Sequence, residues 1–478
     1  MSNMKRTESD LLGAMEIDNA HLYGIQTERA MINFDFSPFK VNTYPFFVEA
    51  LAITKQGAAL ANHKLGLLSE EVKNAIVQAC EEIRDGKHHE HFPVDMIQGG
   101  AGTSTNMNAN EVIANRALEI MGFERGDYKG HCTPNDHVNL SQSTNDAYPT
   151  AIHLGLYRTY LDIVPHIEDM VKALRKKGEE FKDVVKMGRT QLQDAVPMTL
   201  GQTFNGFASI LEEEIPNLKH AADQLLVVNM GSTAIGTGIC SQPGYSAACI
   251  EALREVTGWD ISLAHDLVGA TSDTSHLIGY SSALRRIAVK VSKISNDLRL
   301  LSSGPRAGLG EIQLPPRQPG SSIMPGKVNP VIPEVATQAA LKIIGNDVTV
   351  TMAGEASQME LNAMEPVMAQ CCFESSHYLV QALDTLREFC IVDIKANAEK
   401  TLEDVHNSLG IVTALNPFIG YKNSTKIAQE AVATGKGIVE IVLEKGILSK
   451  EQLDIILDPQ NLIKPVVLDI KPLKNFED

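Results

Sequence analysis

The sequence has no cysteines at CxxC spacing, no excess of basic residues and no long apolar run. Its seven cysteines are scattered, and none forms a CxxC pair. This argues against a disulfide framework or a zinc site and favours reduced, mostly buried thiols. The formal net charge of −17 argues against a surface that binds nucleic acid, because phosphates require basic residues.

Membrane and export signals are also missing from the sequence. No stretch of about 18 apolar residues occurs, and the N-terminus lacks the apolar core of a signal peptide. We therefore expect a cytoplasmic protein without a membrane segment. The composition, 44% hydrophobic and 21% charged, is that of an ordinary globular protein, and 478 residues exceed what a single compact core accommodates.

Helical periodicity dominates the middle of the chain. Apolar residues recur at spacings of three and four, most clearly from Ala283 through Ile287, Val291 and Ile294 to Leu298. Helices of this length are typical of bundles, so the pattern predicts a mostly α fold with a central bundle of five long helices. The five predicted segments are 151–176, 198–229, 281–303, 333–353 and 363–390. Pro165 and Pro216 are expected to kink or split two of them.

The change in pattern along the chain suggests three domains. Residues 1–142 form a mixed, mainly helical N-terminal domain, residues 143–396 the long-helix bundle, and residues 397–478 a small helical C-terminal domain. Several bundle helices carry apolar residues on more than one side, as at Ala336, Ala340 and Ile344. A helix that is apolar on most sides needs partners on most sides, so we expect bundles from several chains to pack together.

Two polar segments precede predicted helices. Residues 99–110 combine three glycines with Thr103 and two further hydroxyl residues, a flexible turn that can bring backbone N–H and side-chain O–H groups to an anion. Residues 139–150 place Ser143, Thr144 and Asn145 in a row, and uncharged donors at a helix start are suited to a carboxylate. In both segments the polar residues can equally serve as helix caps.

Two other segments lack apolar periodicity. Residues 188–199 are expected to form a solvated loop between helices. Residues 320–330, GSSIMPGKVNP, contain two glycines and two prolines, which exclude a helix and indicate a mobile loop. A loop of this kind that carries a serine pair, a lysine and an asparagine favours function over packing.

The segment GSSIMPGKVNP is very similar to the signature loop of the fumarase/aspartase superfamily. The segments around Thr103, Ser143 and Thr190 resemble that superfamily's other active-site regions, in the same order, and the resemblance extends from residue 23 to residue 413. It implies a mostly helical three-domain subunit, a homotetramer whose central bundles merge, and active sites that each collect segments from three chains. It also implies a small-molecule substrate and no bound cofactor.

Within the superfamily the chain resembles the ammonia-eliminating branch, which converts L-aspartate to fumarate. The signature loop continues as residues 331–335, VIPEV, as in aspartases. Gln191 stands where many members, including fumarases, have histidine, and a glutamine cannot supply the proton that a leaving hydroxide needs. A fumarase that removes water from malate is the main alternative. A non-catalytic helical scaffold is a second alternative, against which the intact Ser321, Lys327 and Asn329 argue.

The resemblance assigns a role to each candidate residue. Ser321 is the base that removes the Cβ proton, and it needs backbone N–H groups or a nearby cation to ionise. The other residues bind the substrate: Thr103, Ser143, Thr144 and Ser322 hold the enediolate, Lys327 and Asn329 hold the α-carboxylate, and Asn145, Thr190 and Gln191 orient the ammonium group.

No metal is expected at the site. Some members of the superfamily respond to Mg²⁺, but no cluster of carboxylates in the sequence makes a convincing magnesium site. The histidines at positions 88, 89 and 91 could hold a metal, and a solvated loop is the favoured interpretation of that cluster.

Overall fold

The computed structural model describes residues 5–473 and is mostly helical. In chain order its α-helices are α1 Ile25–Asn33, α2 Pro45–Lys64, α3 Glu70–Arg84, α4 Thr103–Ile120, α5 Thr144–Glu180, α6 Leu200–Glu212, α7 Glu214–Gln224, α8 Tyr245–Thr257, α9 Leu267–Ser272, α10 Ser275–Leu301, α11 Val331–Glu355, α12 Glu365–Phe389, α13 Ala398–Asn407, α14 Asn416–Ile419, α15 Tyr421–Thr434, α16 Ile438–Glu444, α17 Lys450–Ile456 and α18 Pro459–Leu462. Short 3₁₀ turns cover Val41–Thr43, His89–His91, Ile391–Asp393 and Leu409–Leu415, and a π-helical turn covers Pro134–Val138.

The strands form small two-stranded sheets. They are β1 Lys5–Asp10, β2 Gly13–Asp18, β3 Val185–Thr190, β4 Gln193–Thr199, β5 Val227–Val228, β6 Ser262–Leu263, β7 Ile312–Gln313 and β8 Lys395–Ala396. The pairs β1–β2, β3–β4 and β7–β8 are antiparallel, whereas β5–β6 is parallel. Helices therefore supply most of the framework in the described part of the chain.

The predicted long helices are present, with one correction. Four predicted segments correspond to α5, α10, α11 and α12, of which α5 is 37 residues long and continues through Pro165. The predicted segment 198–229 is split, which is one of the two outcomes expected at Pro216: it divides at Glu213 into α6 and α7. Its helical part ends at Gln224 and not at residue 229 as predicted. Pro216 has no N–H for the carbonyl of the preceding turn, which explains the break.

The described residues form two compact units that interleave along the chain. The first contains the residues up to His166 with Glu214–Val289 and Ala339–Gln381, and the second contains Ile167–Glu213, Lys290–Gln338 and the residues from Ala382 onward. The division into three consecutive domains stays a prediction.

Polar contacts join the long helices inside the first unit. Asp347 of α11 is buried and accepts hydrogen bonds from Ser281 at 2.9 Å and from Arg285 at 2.7 Å, both on α10. The neighbouring residue of α11, Asn346, contacts α12: its Nδ2 donates to Glu374 Oε2 at 2.9 Å. Satisfied buried polar groups of this kind fix the register of neighbouring helices.

The core of the second unit includes β3 and the C-terminal helices. Val185 and Met187 of β3 pack with residues of α13, α15, α16 and α17, among them Val405, Ile427 and Leu453. The small helices predicted after residue 397 are therefore not isolated from the rest of that unit. They cover one side of the β3–β4 pair.

The seven cysteines are all free, and every one except Cys240 is buried. This confirms the expectation of reduced, mostly buried thiols. Within residues 5–473, no helix has the length and apolar character needed to cross a membrane.

Candidate active site

The turn before α4 has an unusual backbone. Gly100, Ala101 and Gly102 have φ angles of 90°, 52° and 89°, and Gly102 is the N-cap of α4 without a side-chain cap. The alternative that a hydroxyl residue caps this helix is therefore wrong. A Cβ on Gly102 would lie 2.3 Å from the Tyr148 ring, so only glycine fits there.

Thr103 is the first residue of α4 and is exposed. Its hydroxyl donates to the Gly100 carbonyl oxygen at 2.8 Å. A hydroxyl has a single proton, so this hydrogen bond must be exchanged before Thr103 can donate to a ligand. The turn still places the hydroxyl at a helix N-terminus, where the helix dipole favours an anion.

The start of α5 presents two hydroxyls whose oxygens already accept hydrogen bonds. Ser143 Oγ accepts from the Asn145 N–H at 3.2 Å, and Thr144 Oγ1 accepts from Asn106 Nδ2 at 3.2 Å. Because both oxygens are occupied as acceptors, both O–H protons remain to donate to a ligand. The capping role and the binding role of Ser143 are therefore compatible.

Asn145 is held by a loop that follows β5. Its Nδ2 donates to the Ala234 carbonyl oxygen at 2.7 Å, and its backbone carbonyl oxygen accepts from Asn229 Nδ2 at 3.0 Å. The Oδ1 atom accepts no hydrogen bond from the residues that the structure describes. It is therefore positioned as an acceptor for a cationic group.

The buried Asp146 anchors the same region. Its carboxylate accepts backbone N–H groups from Ser143 at 3.0 Å, Thr233 at 2.9 Å and Gly231 at 3.1 Å. Burial raises the pKa of this carboxyl, and the backbone donors and Lys55 oppose that shift. Asp146 thus fixes the α5 start against the loop and is itself fully buried.

Lys55 is a functional candidate that the sequence did not reveal. It is 1% exposed, and its ammonium donates to side-chain oxygens of Asn106 at 2.6 Å, Gln142 at 2.8 Å and Asn139 at 3.1 Å. Burial lowers the pKa of Lys55, and the charge of Asp146 opposes that shift. The one available signal is a lysine in the middle of α2, a helix that is mostly apolar.

The loop 320–330 is non-helical, as predicted, and closes on itself. The Gly320 N–H donates to the Lys327 carbonyl oxygen at 2.7 Å, and Asn329 Nδ2 donates to the Gly320 carbonyl oxygen at 2.6 Å. A Cβ on Gly320 would lie 2.6 Å from that Lys327 oxygen. The base of the loop therefore requires glycine at this position.

Ser321 has the environment that a serine base needs. Its Oγ accepts backbone N–H groups from Met324 at 2.9 Å and from Ile323 at 3.1 Å. Two fixed dipoles that point at one oxygen stabilise the alkoxide relative to the neutral hydroxyl. These are backbone N–H donors of the kind that the sequence analysis expected Ser321 to need.

The outer part of this loop is open. Ser322 and Lys327 are exposed, and their side chains make no hydrogen bond or ion pair with any residue in the described range 5–473. Ile323 is 83% exposed and Val328 is also exposed. A serine, a cation and apolar side chains are thus presented together on an uncovered loop.

Thr190 and Gln191 lie at the tip of a β-hairpin, so the prediction of an irregular loop over 188–199 is wrong. Thr190 pairs with Gln193, leaving Gln191 and Leu192 as a two-residue turn with φ angles of 54° and 64°. Positive φ at both positions matches the right-handed twist of a hairpin. Arg189 anchors the hairpin by an ion pair with the buried Glu311.

The structure groups the predicted residues within each unit. In the first unit, Asn106 and Tyr148 link the α4 turn to the start of α5, which brings together Thr103, Ser143, Thr144 and Asn145. In the second unit, the closed loop brings together Ser321, Ser322, Lys327 and Asn329, and the hairpin tip presents Thr190 and Gln191.

The family comparison covers most of the chain. A family model described as "Lyase" matches residues 13–345, and a model described as "Fumarase C C-terminus" matches residues 411–464. Aspartate ammonia-lyase from Pseudomonas fluorescens is 54% identical, covering 98% of each chain. Aspartate ammonia-lyase from Escherichia coli K12 is 52% identical, covering 97% of each.

Solved structures show the same fold. A Brucella melitensis protein described as "fumarate lyase:delta crystallin" bound to cobalt is 49% identical, with a TM-score of 0.93 over 97% of this chain and 100% of its own. Class II fumarase from Schistosoma mansoni is 35% identical, with a TM-score of 0.91 over 96% of this chain and 99% of its own. On the matched family model, the full-length relatives and the shared fold, the chain belongs to the fumarase/aspartase superfamily of lyases.

Proposed function

We propose that the chain catalyses the reversible β-elimination of ammonia from L-aspartate to give fumarate, with Ser321 as the base and without a cofactor. The observation that carries the mechanism is the pair of backbone N–H groups that point at Ser321 Oγ, from Ile323 at 3.1 Å and Met324 at 2.9 Å. The choice of reaction is supported by relatives at 52–54% identity that are named aspartate ammonia-lyase.

The chemical step is a proton transfer followed by loss of ammonia. The Ser321 alkoxide takes the proton from Cβ, and the adjacent carboxylate accepts the electron pair as an enediolate. That pair then forms the double bond of fumarate while the C–N bond breaks and ammonia leaves with the bonding pair. The carbon acid is very weak, so stabilisation of the enediolate is the main task of the site.

Ser143 and Thr144 are ready to stabilise the enediolate. Their oxygens already accept hydrogen bonds from Asn145 and Asn106, so their protons remain to donate to the substrate. Thr103 and Ser322 complete the set of hydroxyl donors, Thr103 after it releases the Gly100 carbonyl. Loss of one such donor costs about 10²–10³ in kcat.

Charged and amide groups hold the rest of the substrate. Lys327 is exposed and unpaired among the described residues. Its positive charge attracts the α-carboxylate and so counters the repulsion from the net charge of −17. The second Nδ2 proton of Asn329 donates to the same carboxylate. Asn145 Oδ1, Thr190 and Gln191 accept from the ammonium group. Because ammonia leaves as a neutral molecule, Gln191 has no proton to supply.

The homotetramer is proposed from exposed apolar faces on the long helices. Leu341, Val348 and Met352 of α11 are 60%, 59% and 59% exposed, and their spacing of seven and four places them on one face. An apolar helix face of this kind is typical of a protein–protein interface. We propose that each active site combines the first-unit residues, the hairpin tip and the signature loop from three subunits.

The proposed compartment is the cytoplasm. Seven cysteines without a disulfide are typical of a reducing environment.

The test is to incubate the purified protein separately with L-aspartate and L-malate and to follow fumarate by its ultraviolet absorbance. Wild type, Ser321→Ala and Ser292→Ala are compared. Ser292 lies on α10, where its Oγ accepts a hydrogen bond from the exposed Asn296, so it controls for the loss of a serine hydroxyl elsewhere.

Fumarate from aspartate alone, lost in Ser321→Ala and retained in Ser292→Ala, is the expected result. Fumarate from malate but not from aspartate would identify a fumarase and overturn the interpretation of Gln191. No product from either substrate would favour the scaffold. Full activity in Ser321→Ala would remove the serine from its role as the base.

A further inference from the structure

Three side chains of the types that bind metal ions lie close together in the segment between α3 and α4. His88, Glu90 and His91 each offer one ligand atom, and these atoms all lie within 4.8 Å of one another. No other group of three such side chains comes this close in the range 5–473. We propose that His88, Glu90 and His91 bind a divalent transition-metal ion of the Zn²⁺ type, at a site that shares no residue with the substrate-binding set.

His91 differs from a histidine in a solvated loop. It is 9% exposed, and its Nδ1 is buried without a hydrogen-bond partner among the described residues. Its Nε2 lies 3.5 Å from Glu90 Oε1. A buried ring nitrogen without a partner is rare in native proteins and requires an explanation. An ion bound at Nδ1 would be the missing partner.

His88 is oriented as metal-binding histidines usually are. Its Nε2 donates to Glu82 Oε2 at 3.0 Å, and the same carboxylate is held by Arg116 at 2.6 and 3.0 Å. A carboxylate on one ring nitrogen fixes the tautomer and leaves the lone pair on the other nitrogen. Nδ1 of His88 is thereby left as the nitrogen that can coordinate an ion.

The backbone and the exposed carboxylate allow the three ligands to converge. His88 has a φ of 65°, which turns the chain before the 3₁₀ turn His89–His91. Tetrahedral coordination requires ligand atoms roughly 3.4 Å apart, so the cluster must contract. The Glu90 side chain is 70% exposed and free to move inward.

The ligand chemistry favours zinc over magnesium. Two imidazoles and one carboxylate are typical zinc ligands, with a water in the fourth position, whereas magnesium prefers oxygen ligands. The His91 carbonyl accepts from Asn108 of α4 at 2.9 Å. A bound ion would therefore hold residues 88–91 against α4 and raise the thermal stability of the protein.

His89 provides a matched control within the same segment. Its Nε2 bonds to the Ile83 carbonyl oxygen at 2.9 Å, and it is not part of the ligand group. His88 and Glu90 are less buried than His91, so their variants are the ones expected to fold. The variants to compare are His88→Gln, Glu90→Gln and His89→Gln.

The experiment uses full-length protein without an affinity tag, stripped with a chelator and dialysed. Zn²⁺ binding is measured by calorimetry, Co²⁺ binding by its visible absorption, and Tm with and without Zn²⁺. Wild type and His89→Gln are expected to bind one ion per chain and to melt at a higher temperature with Zn²⁺. His88→Gln and Glu90→Gln should bind about tenfold more weakly or worse and lose the increase in Tm.

Three results would overturn the proposal. The first is wild-type protein that shows neither stoichiometric binding nor a Zn²⁺-dependent Tm. The second is binding in His88→Gln and Glu90→Gln that equals binding in wild type, which would place the ion elsewhere among the 14 histidines. The third is loss of binding in His89→Gln alone, which would contradict the assigned ligands.

Discussion

Lys55 Nζ lies 2.6 Å from Asn106 Oδ1 within the first unit, and the nitrogen of the same amide donates to Thr144. The Lys55 ammonium can only donate, so the atom of the Asn106 amide that faces it must be the oxygen. The amide nitrogen must then face Thr144, whose proton is left for the substrate. A buried cation thus orients a hydroxyl donor that it does not touch.

Lys55→Met is expected to lower kcat for aspartate by about 10²-fold, the effect of losing one enediolate donor. Without the ammonium, the Asn106 amide can rotate and present its oxygen to Thr144. Kinetics and Tm are measured together, with Lys64→Met as the control, since Lys64 is an exposed residue of the same helix that pairs with Glu251. A reduced Tm with unchanged kcat would show a structural role only.

Gly102→Ala is expected to destabilise the protein more than Gly122→Ala. Both glycines have similar positive φ angles, 89° and 86°, so both substitutions incur backbone strain of about 1–2 kcal/mol. Only at Gly102 would the new Cβ collide with Tyr148, at 2.3 Å, whereas nothing lies within 4 Å at Gly122. Urea unfolding measures the difference, and equal losses would refute the close packing of the turn against Tyr148.

Gly320→Ala is expected to reduce kcat by about tenfold to a hundredfold while leaving Tm nearly unchanged. The added Cβ would collide with the Lys327 carbonyl and open the loop, and small misplacements of reacting groups cost rate on this scale. Gly437→Ala is the control, because Gly437 has open space and a φ of −69°. Wild-type kcat in Gly320→Ala would mean that loop closure does not position Ser321.

Glu365 predicts a pH-dependent stability. It is 3% exposed, and burial raises its pKa from 4.5 to about 8. Between these values the folded protein keeps a proton that the unfolded chain has lost, so stability falls as pH rises. Glu365→Gln stays neutral and should be more stable than wild type by roughly 3 kcal/mol at neutral pH.

The Glu365→Gln comparison is made by unfolding at two pH values. Near pH 4.5, where the unfolded carboxyl also begins to hold its proton, the variant and wild type should differ little. A difference that is the same at both pH values would arise from packing and would contradict the titration of Glu365.

The helices could be predicted from the sequence because spacings of three and four are a local property. The periodicity of 281–303 corresponds to α10, Ser275–Leu301. The hairpin at Gln191 could not be predicted in the same way. Its exposed tip shows no alternation of apolar residues, and Gln191–Leu192 is not the Asn-Gly pair that usually signals such a turn.

The identities of the candidate site residues were more predictable than their contacts. The composition of loop 320–330 indicated a functional loop, yet the two N–H groups on Ser321 depend on backbone angles that no spacing encodes. Lys55 was missed because a lone lysine in a helix usually reaches water. Its partners are 51 to 87 residues away in sequence.

The distribution of thiols makes the natural sequence suited to single-site labelling. Burial raises the pKa of Cys132 and Cys249 to about 12 and of Cys371 to about 11, and thiolate is the reactive form. Cys240 is the only cysteine of the seven that is exposed. A maleimide fluorophore or spin label would therefore attach at one defined position per chain, which allows the proposed assembly to be tested by spectroscopy without engineering the protein.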